Sequence, residues 1–239
     1  MTAKLDAEHI LKPISELTRE YLDTLEVFAE IESTNSYLMN QPSPPAGRFR
    51  VAIADHQTAG RGRMERQWHS PGSTGLCLSM SYTFARRPEL LSCLTLAIGV
   101  GVVESLERLG VDGVGLKWPN DIVLKDGKLG GILTEVKAGS GTDVTIVTGV
   151  GINYDLRDSP DARRIMTRLG RVSDLAACLH DLPSRSSLAA ALVDGLFSAF
   201  AEFAADGFGN AAAAWDRYDW LRGQTIGVEQ GEGQLNGVC

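Results

Sequence analysis

The chain has 239 residues, 44% of them hydrophobic and 22% charged, with a formal net charge of -7, enough for one large domain with a small appendage. The acidic balance argues against a nucleic-acid-binding protein, because phosphate backbones demand a basic face. Cys77, Cys93, Cys178 and Cys239 are widely spaced with no C-x-x-C pair, which excludes a disulfide framework or zinc ribbon and fits a reducing cytosol.

In chain order, residues 7–23 read as a short helical lead-in, with Leu11, Ile14, Leu17 and Tyr21 at helical spacing. It is too short for a helix-turn-helix domain. Residues 25–31 mostly alternate apolar and polar positions, as a half-buried strand does. Ser33-Thr34-Asn35 follows and can cap a helix carrying Tyr37 and Leu38; the proline-rich run 41–47 is a surface loop. Strands are predicted over 50–54 and 76–82, the second with Leu76, Leu78, Met80 and Tyr82 on one face. Apolar residues recur at helical spacing over 90–109 until Gly110 stops the helix, and Ala97, Gly99 and Gly101 would let it pack closely on a sheet. Residues 121–124 and 128–136 read as a hairpin around Lys125-Asp126-Gly127, with Asp-Gly as the turn signal. Residues 144–152 form a further strand leading into Asn153. The texture then turns helical. Ser184 starts a helix with Leu188, Leu192, Leu196, Phe200 and Phe203 on one face, a core stripe, and 211–221 forms the last helix. From Arg222 onward the chain opens like a strand of a small β-domain that has no room to close.

No segment reads as long and apolar enough to span a membrane, and the N-terminus lacks a signal-peptide pattern, so a cytoplasmic location is expected. His9, His56, His69 and His180 form no metal-ligand spacing. No Ser/His/Asp or Cys/His arrangement points to a protein nucleophile. Three segments carry the chemistry: Gln57-Thr58-Ala59-Gly60-Arg61-Gly62-Arg63, Lys117-Trp118-Pro119-Asn120-Asp121 and Lys128-Leu129-Gly130-Gly131. Glycines interleaved with arginines give a backbone that can approach a ligand closely between guanidinium groups, which suits a compact anion. With Arg66, the cluster is a local exception to the acidic balance, and a small anionic ligand explains it better than DNA.

In this order the three segments resemble those of the biotin–protein ligases, over residues 25–155, in the monofunctional type without an N-terminal DNA-binding domain. The resemblance implies an α+β fold of the class II synthetase-like kind: a mixed, largely antiparallel sheet with helices packed on one face and Gln57, Lys128 and Gly149 on the other. It implies a lead-in over 1–24, a catalytic domain over 25–221, and over 222–239 the start of a small C-terminal β-barrel, here incomplete. The implied activity joins the biotin carboxylate to the α-phosphate of ATP, with Mg²⁺, and passes the biotinyl group to a lysine of a biotin carboxyl carrier protein. Such a reaction needs positioning and preorganised cations more than a nucleophile.

The resemblance assigns Ser33, Thr34, Asn35 and Gln57 to the polar head of biotin. It assigns Gly60, Arg61, Gly62 and Arg63 to the carboxylate and phosphates, in a loop whose glycines turn N–H groups inward as it orders over the ligand. Lys128 stands beside the α-phosphate, with Arg61 and Arg63 as its catalytic companions, and Gly130, Gly131 and Gly149 leave room for the ligand. Arg63, Arg66, Trp68, Lys117, Asn120, Asp121 and Asn153 fall on the nucleotide side, with Asp121 as a magnesium partner, directly or through water. Plainer readings stand beside these: Ser33 and Thr34 as helix caps, Lys128 as a surface lysine, Asp121 as an ion-pair partner of Lys117. One departure is Met64-Glu65, where the family's loop often has a further glycine. Glu65 puts a negative charge near the phosphates and stiffens the loop. Lipoate–protein ligase is the nearest alternative, but an apolar dithiolane would not need four polar residues together; a non-catalytic biotin- or nucleotide-binding regulator is the other. No DNA or membrane partner is expected, and a homodimer stays open.

Overall fold

The computed structural model describes residues 4–69, 72–137, 141–157, 171–230 and 233–239. The chain runs α1 (Ala7–Leu11), α2 (Glu16–Tyr21), β1 (Leu22–Ile31), α3 (Thr34–Asn40), β2 (Phe49–Gln57), β3 (Gly75–Phe84), α4 (Leu94–Arg108), β4 (Val114–Lys117), β5 (Asp121–Leu124), β6 (Gly127–Lys137), β7 (Val144–Asn153), α5 (Arg185–Asp206), α6 (Gly209–Tyr218), β8 (Thr225–Gln230) and β9 (Gly233–Val238). Strands β1 to β7 form one sheet in the order β1-β2-β3-β7-β6-β5-β4. The β1–β2 pair is parallel and the other pairs are antiparallel, which is the mixed, largely antiparallel sheet expected.

Strand β3 is buried along its whole length, and its alternation sorts two faces. Leu76, Leu78, Met80, Tyr82 and Phe84 enter the main core, where α4 and α5 cover the sheet. Tyr82 stacks on Phe200 of α5 with ring centroids 5.0 Å apart. Each such fully buried side chain contributes about 1.5–3 kcal/mol through the surface it removes from water. The opposite set, Cys77, Ser79, Ser81 and Thr83, is also buried, because the short α3 lies across that face and packs Leu38 against Ala52 and Val147. The long helices thus share one face, and the other holds α3 and an open cavity.

Several boundaries differ from expectation for identifiable reasons. The lead-in is two short helices, not one. Pro13 lacks the N–H that would carry the ladder of α1 past its C-cap Lys12, and each half has its own cap, Asp6 and Ser15. Ile10 and Ile14 are buried while Leu17 is 62% exposed. At the β5–β6 turn the two left-handed residues are Lys125 and Asp126, with Gly127 already paired to Leu124. Gly127 is needed elsewhere, because a Cβ there would press on the backbone of Val172 and Ser173. Gly99 does meet the sheet at Leu116, but Gly101 faces α5, where a Cβ would lie 2.7 Å from the Gly195 carbonyl oxygen. The last helix spans Gly209–Tyr218. One described helix, α5, is long and apolar enough to cross a membrane, contrary to the sequence reading; in the fold its apolar face is the core stripe. Past it, β8 and β9 form a separate two-stranded sheet.

Candidate active site

A cavity of about 550 Å³ opens on the α3 face of the sheet, between the ends of β2, β3, β6 and β7. Its floor is a hydrogen-bonded lattice. Ser33 caps α3, its Oγ accepting from Ser36 N–H at 3.3 Å. Gln57 Oε1 accepts from Thr34 N–H at 2.7 Å and from Thr34 Oγ1 at 2.9 Å. Ser79 Oγ lies 2.7 Å from Thr34 Oγ1 and 2.6 Å from Asn35 Oδ1, so one hydroxyl serves two acceptors. Thr34, Asn35 and Ser79 are buried, and neighbouring Gly149 keeps the space: a Cβ there would run into Asn35 Oδ1. Lys137 holds the far end of α3 by donating to the Leu38 and Gln41 carbonyls, and burial pushes its ammonium pKa down, with Arg50 adding to the effect.

The Gly/Arg loop is a small hairpin folded over this floor. Arg61 bridges Gln67, Gly62 N–H donates to Arg66 O at 2.7 Å, and Trp68 N–H donates to Gly60 O at 2.9 Å. At the tip, Arg66 N–H reaches Arg63 O at 3.2 Å across Met64 and Glu65, both left-handed at φ 53° and 59°, the backbone of a type I′ turn. Gly62 N–H therefore closes the hairpin instead of pointing into the cavity. Gly60 does not line the cavity; a Cβ there would strike the Trp68 carbonyl oxygen. The Trp68 ring lies against Gly151, and its Nε1 is buried without a hydrogen-bond partner.

Cationic side chains gather along the loop side. Arg61, Arg63, Arg66 and Lys128 all line the cavity. Arg61 makes a two-point ion pair with Glu135, and Arg63 Nη1 is 3.5 Å from Asn120 Oδ1. Lys128 Nζ is 2.6 Å from Asp121 Oδ1 and 5.8 Å from the Trp68 ring. Asp121 therefore pairs with Lys128, not with Lys117. Asn120 is braced against β6, donating from Nδ2 to Ile132 O and accepting at its own O from Ile132 N–H.

Of the residues expected at the site, Ser33, Thr34, Asn35, Gln57, Arg61, Gly62, Arg63, Arg66, Trp68, Asn120, Asp121, Lys128, Gly131, Gly149 and Asn153 come together around this one cavity. Lys117 does not. Its ammonium sits 5.6 Å over the Trp220 ring, because Trp220 N–H bonds Leu116 O and brings that segment alongside β4. Gly130 is likewise outside, pressed on the Gly151 carbonyl and Ile152. Asn153 lines the cavity, but its amide donates to the Lys128 and Ser173 carbonyls and so fixes the start of β6. Just past β7, hydrogen bonding to Arg157 holds the Asp155 carboxyl below the usual range; burial raises the Tyr154 phenol. Sequence reasoning missed Cys77, Ser79 and the Arg61 partner Glu135.

The arrangement is a polar floor joined to a cationic rim, with Trp118, Ile132 and Leu133 supplying apolar wall: a site for an elongated ligand with a hydrogen-bonding head and an anionic tail. Residues 27–153 match the biotin/lipoate A/B protein ligase family. The bifunctional ligase/repressor BirA of Escherichia coli K12 is 33% identical over 215 residues, which cover 89% of this chain and 64% of that protein. The chain thus spans less than two thirds of that relative's length. The biotin–[acetyl-CoA-carboxylase] ligase of Mycobacterium tuberculosis is 36% identical over 62% of this chain and 61% of its own. A structure of the Aquifex aeolicus biotin protein ligase with biotin and ATP superposes with a TM-score of 0.70 at 25% identity, covering 90% of this chain and 86% of that one. By its sequence and its fold, the chain belongs to the biotin/lipoate A/B protein ligase family.

Proposed function

We propose that the protein is an ATP-dependent biotin–protein ligase that forms biotinyl-5′-AMP and passes the biotinyl group to a lysine of a carrier protein. One observation carries the reading: the Thr34–Gln57–Ser79–Asn35 lattice and the Arg61, Arg63 and Lys128 cations line the same cavity. The ureido ring of biotin offers an acceptor and two donors, so it needs such a lattice, whereas the dithiolane of lipoate offers nothing to satisfy it. The Aquifex aeolicus relative, captured with biotin and ATP, supports the same pair of substrates.

In the first step a biotin carboxylate oxygen attacks the α-phosphorus and pyrophosphate leaves. Two anions must meet, so Arg61 and Arg63 neutralise the carboxylate and phosphates while Lys128 follows the charge that grows on the α-phosphate oxygens. Asp121 is the carboxylate that suits Mg²⁺, which would supply charge neutralisation at the phosphates when bound. Among the described residues no three His, Cys, Asp or Glu side chains converge, so such an ion would complete its shell with phosphate oxygens and water, as Mg²⁺ commonly does. Residues 25–221 form the catalytic unit in this reading, with 1–24 and 222–239 as appendages. Four cysteines spaced widely with no C-x-x-C pair fit a reducing cytoplasm. Calorimetry with biotin and with lipoate, each with and without ATP and magnesium, tests the proposal. Biotin binding strengthened by the nucleotide is expected, and a preference for lipoate would overturn it.

A further inference from the structure

We infer that Glu135 on β6 is a positioning residue that joins the cavity floor to the loop above it and aims Arg61 at the ligand; this rests on the biotin-ligase reading. Arg61 Nη2 donates to Glu135 Oε1 at 2.8 Å and Nη1 to Oε2 at 3.2 Å. A two-point bond fixes the plane of a guanidinium as well as its charge. Glu135 Oε2 also accepts from Asn35 Nδ2 at 2.9 Å, and that amide reaches Leu133 O at 3.2 Å. The chain Gln57–Thr34–Ser79–Asn35–Glu135–Arg61 is therefore continuous from the floor to the loop.

Glu135 does not line the cavity, whereas Arg61 and Asn35 do. Its carboxylate is 21% exposed against 47% for the arginine, so the floor holds the more buried partner. A carboxylate beside a site for anions is unfavourable unless its charge is engaged, and Arg61 engages it. The guanidinium retains N–H donors beyond the two that Glu135 takes, and the lock decides where those donors point. Seating the ureido head on Asn35 and fixing Arg61 over the carboxylate thereby become one arrangement.

The experiment measures biotin affinity by calorimetry and biotin kinetics for wild type, Glu135→Gln, Glu135→Asp, Arg61→Ala and the Arg61→Ala/Glu135→Gln double variant. Gln keeps an oxygen for Asn35 but loses the charge and the second oxygen for Arg61. The expected result for Glu135→Gln is a rise of about tenfold in KM for biotin with kcat within about twofold. Glu135→Asp should recover part of the loss, and Glu135→Gln should add nothing once Arg61 is gone. Equal effects of Glu135→Gln with and without Arg61, or tighter biotin binding by Glu135→Gln, would overturn the inference. The first would make Glu135 a general structural residue, the second a restraint on Arg61. Wild type that binds no biotin would overturn the biotin reading and this inference with it; wild type that binds, with an unchanged Glu135→Gln variant, overturns the inference alone.

Discussion

On the floor of the cavity, Thr34, Asn35 and Ser79 are no more than 4% exposed and bond to one another, whereas Arg61, Arg63, Met64, Glu65 and Arg66 on the loop are all exposed. The floor is shaped by packing between α3, β3 and β7 before any ligand arrives, so an added atom must displace something already bonded. The loop contributes charges, held among the described residues by one small hairpin and by the Arg61–Glu135 and Arg63–Asn120 hydrogen bonds. Changes on the floor should therefore strike binding and folding together, and changes on the loop should strike ligand binding, rates and retention while leaving the fold intact.

The sharpest break of that comparison is Gly149→Ala. The new methyl would displace Asn35 Oδ1, with Asn35 Cγ at 3.0 Å and Ser79 Oγ at 3.3 Å also in the way. Overpacking of this kind destabilises by about 1–3 kcal/mol, and losing two aligned hydrogen-bonding groups should weaken biotin binding on the order of a hundredfold. Thermal melting and calorimetry on the same sample read both. Unchanged biotin affinity would mean that the floor is not the biotin head site.

Lys128→Ala tests the rim instead. It should slow pyrophosphate exchange on the order of a hundredfold, because the lost charge matters most as the α-phosphate gains negative charge, while biotin binding changes much less. The same substitution leaves Asp121 without its 2.6 Å partner. An exchange rate near wild type would remove Lys128 from the chemistry.

The loop motif and the strands were legible in the sequence because each rests on local spacing: Gly60, Arg61, Gly62 and Arg63 are contiguous, and β3 alternates cleanly. Ser79 was not. A serine between Leu78 and Met80 reads as a solvent-facing position of a half-buried strand, and only the placement of α3 across that face buries it. The row Cys77, Ser79, Ser81, Thr83 was the available signal, since four small residues in alternation mark a face that something approaches closely. Glu135 was hidden for a different reason: its partners Asn35 and Arg61 lie 100 and 74 positions away. The place of Lys117 was not legible either: its motif neighbours reach the cavity while its own side chain meets Trp220, a contact brought by a segment about a hundred residues on.

Arg63→Gly sharpens the loop side of the comparison. Arg63 is exposed and meets Asn120 at 3.5 Å, so its removal should leave the melting temperature nearly unchanged. Losing one charged contact to the adenylate should speed its release about tenfold or more, and the escaping mixed anhydride should biotinylate bystander lysines. Stopped-flow release of the adenylate decides the matter, and equal rates for variant and wild type would exclude retention through Arg63.

The smallest expected effect lies at the loop tip, where backbone and charge can be separated. Met64 and Glu65 both occupy left-handed backbone, a conformation that costs a residue with a Cβ roughly 1–2 kcal/mol and that asparagine or glycine fills in most type I′ turns. Glu65→Gly removes this cost from the closed hairpin, although glycine also gains freedom in the open one. The balance should favour closure by about 1 kcal/mol, slowing adenylate release up to about fivefold. Met64→Gly alters the backbone alone and should act in the same direction. Glu65→Gln alters the charge alone and should act less, because Glu65 is exposed and solvent screens its field. If Glu65→Gln slows release as much as Glu65→Gly while Met64→Gly does nothing, the carboxylate and not the strained turn is what loosens the loop.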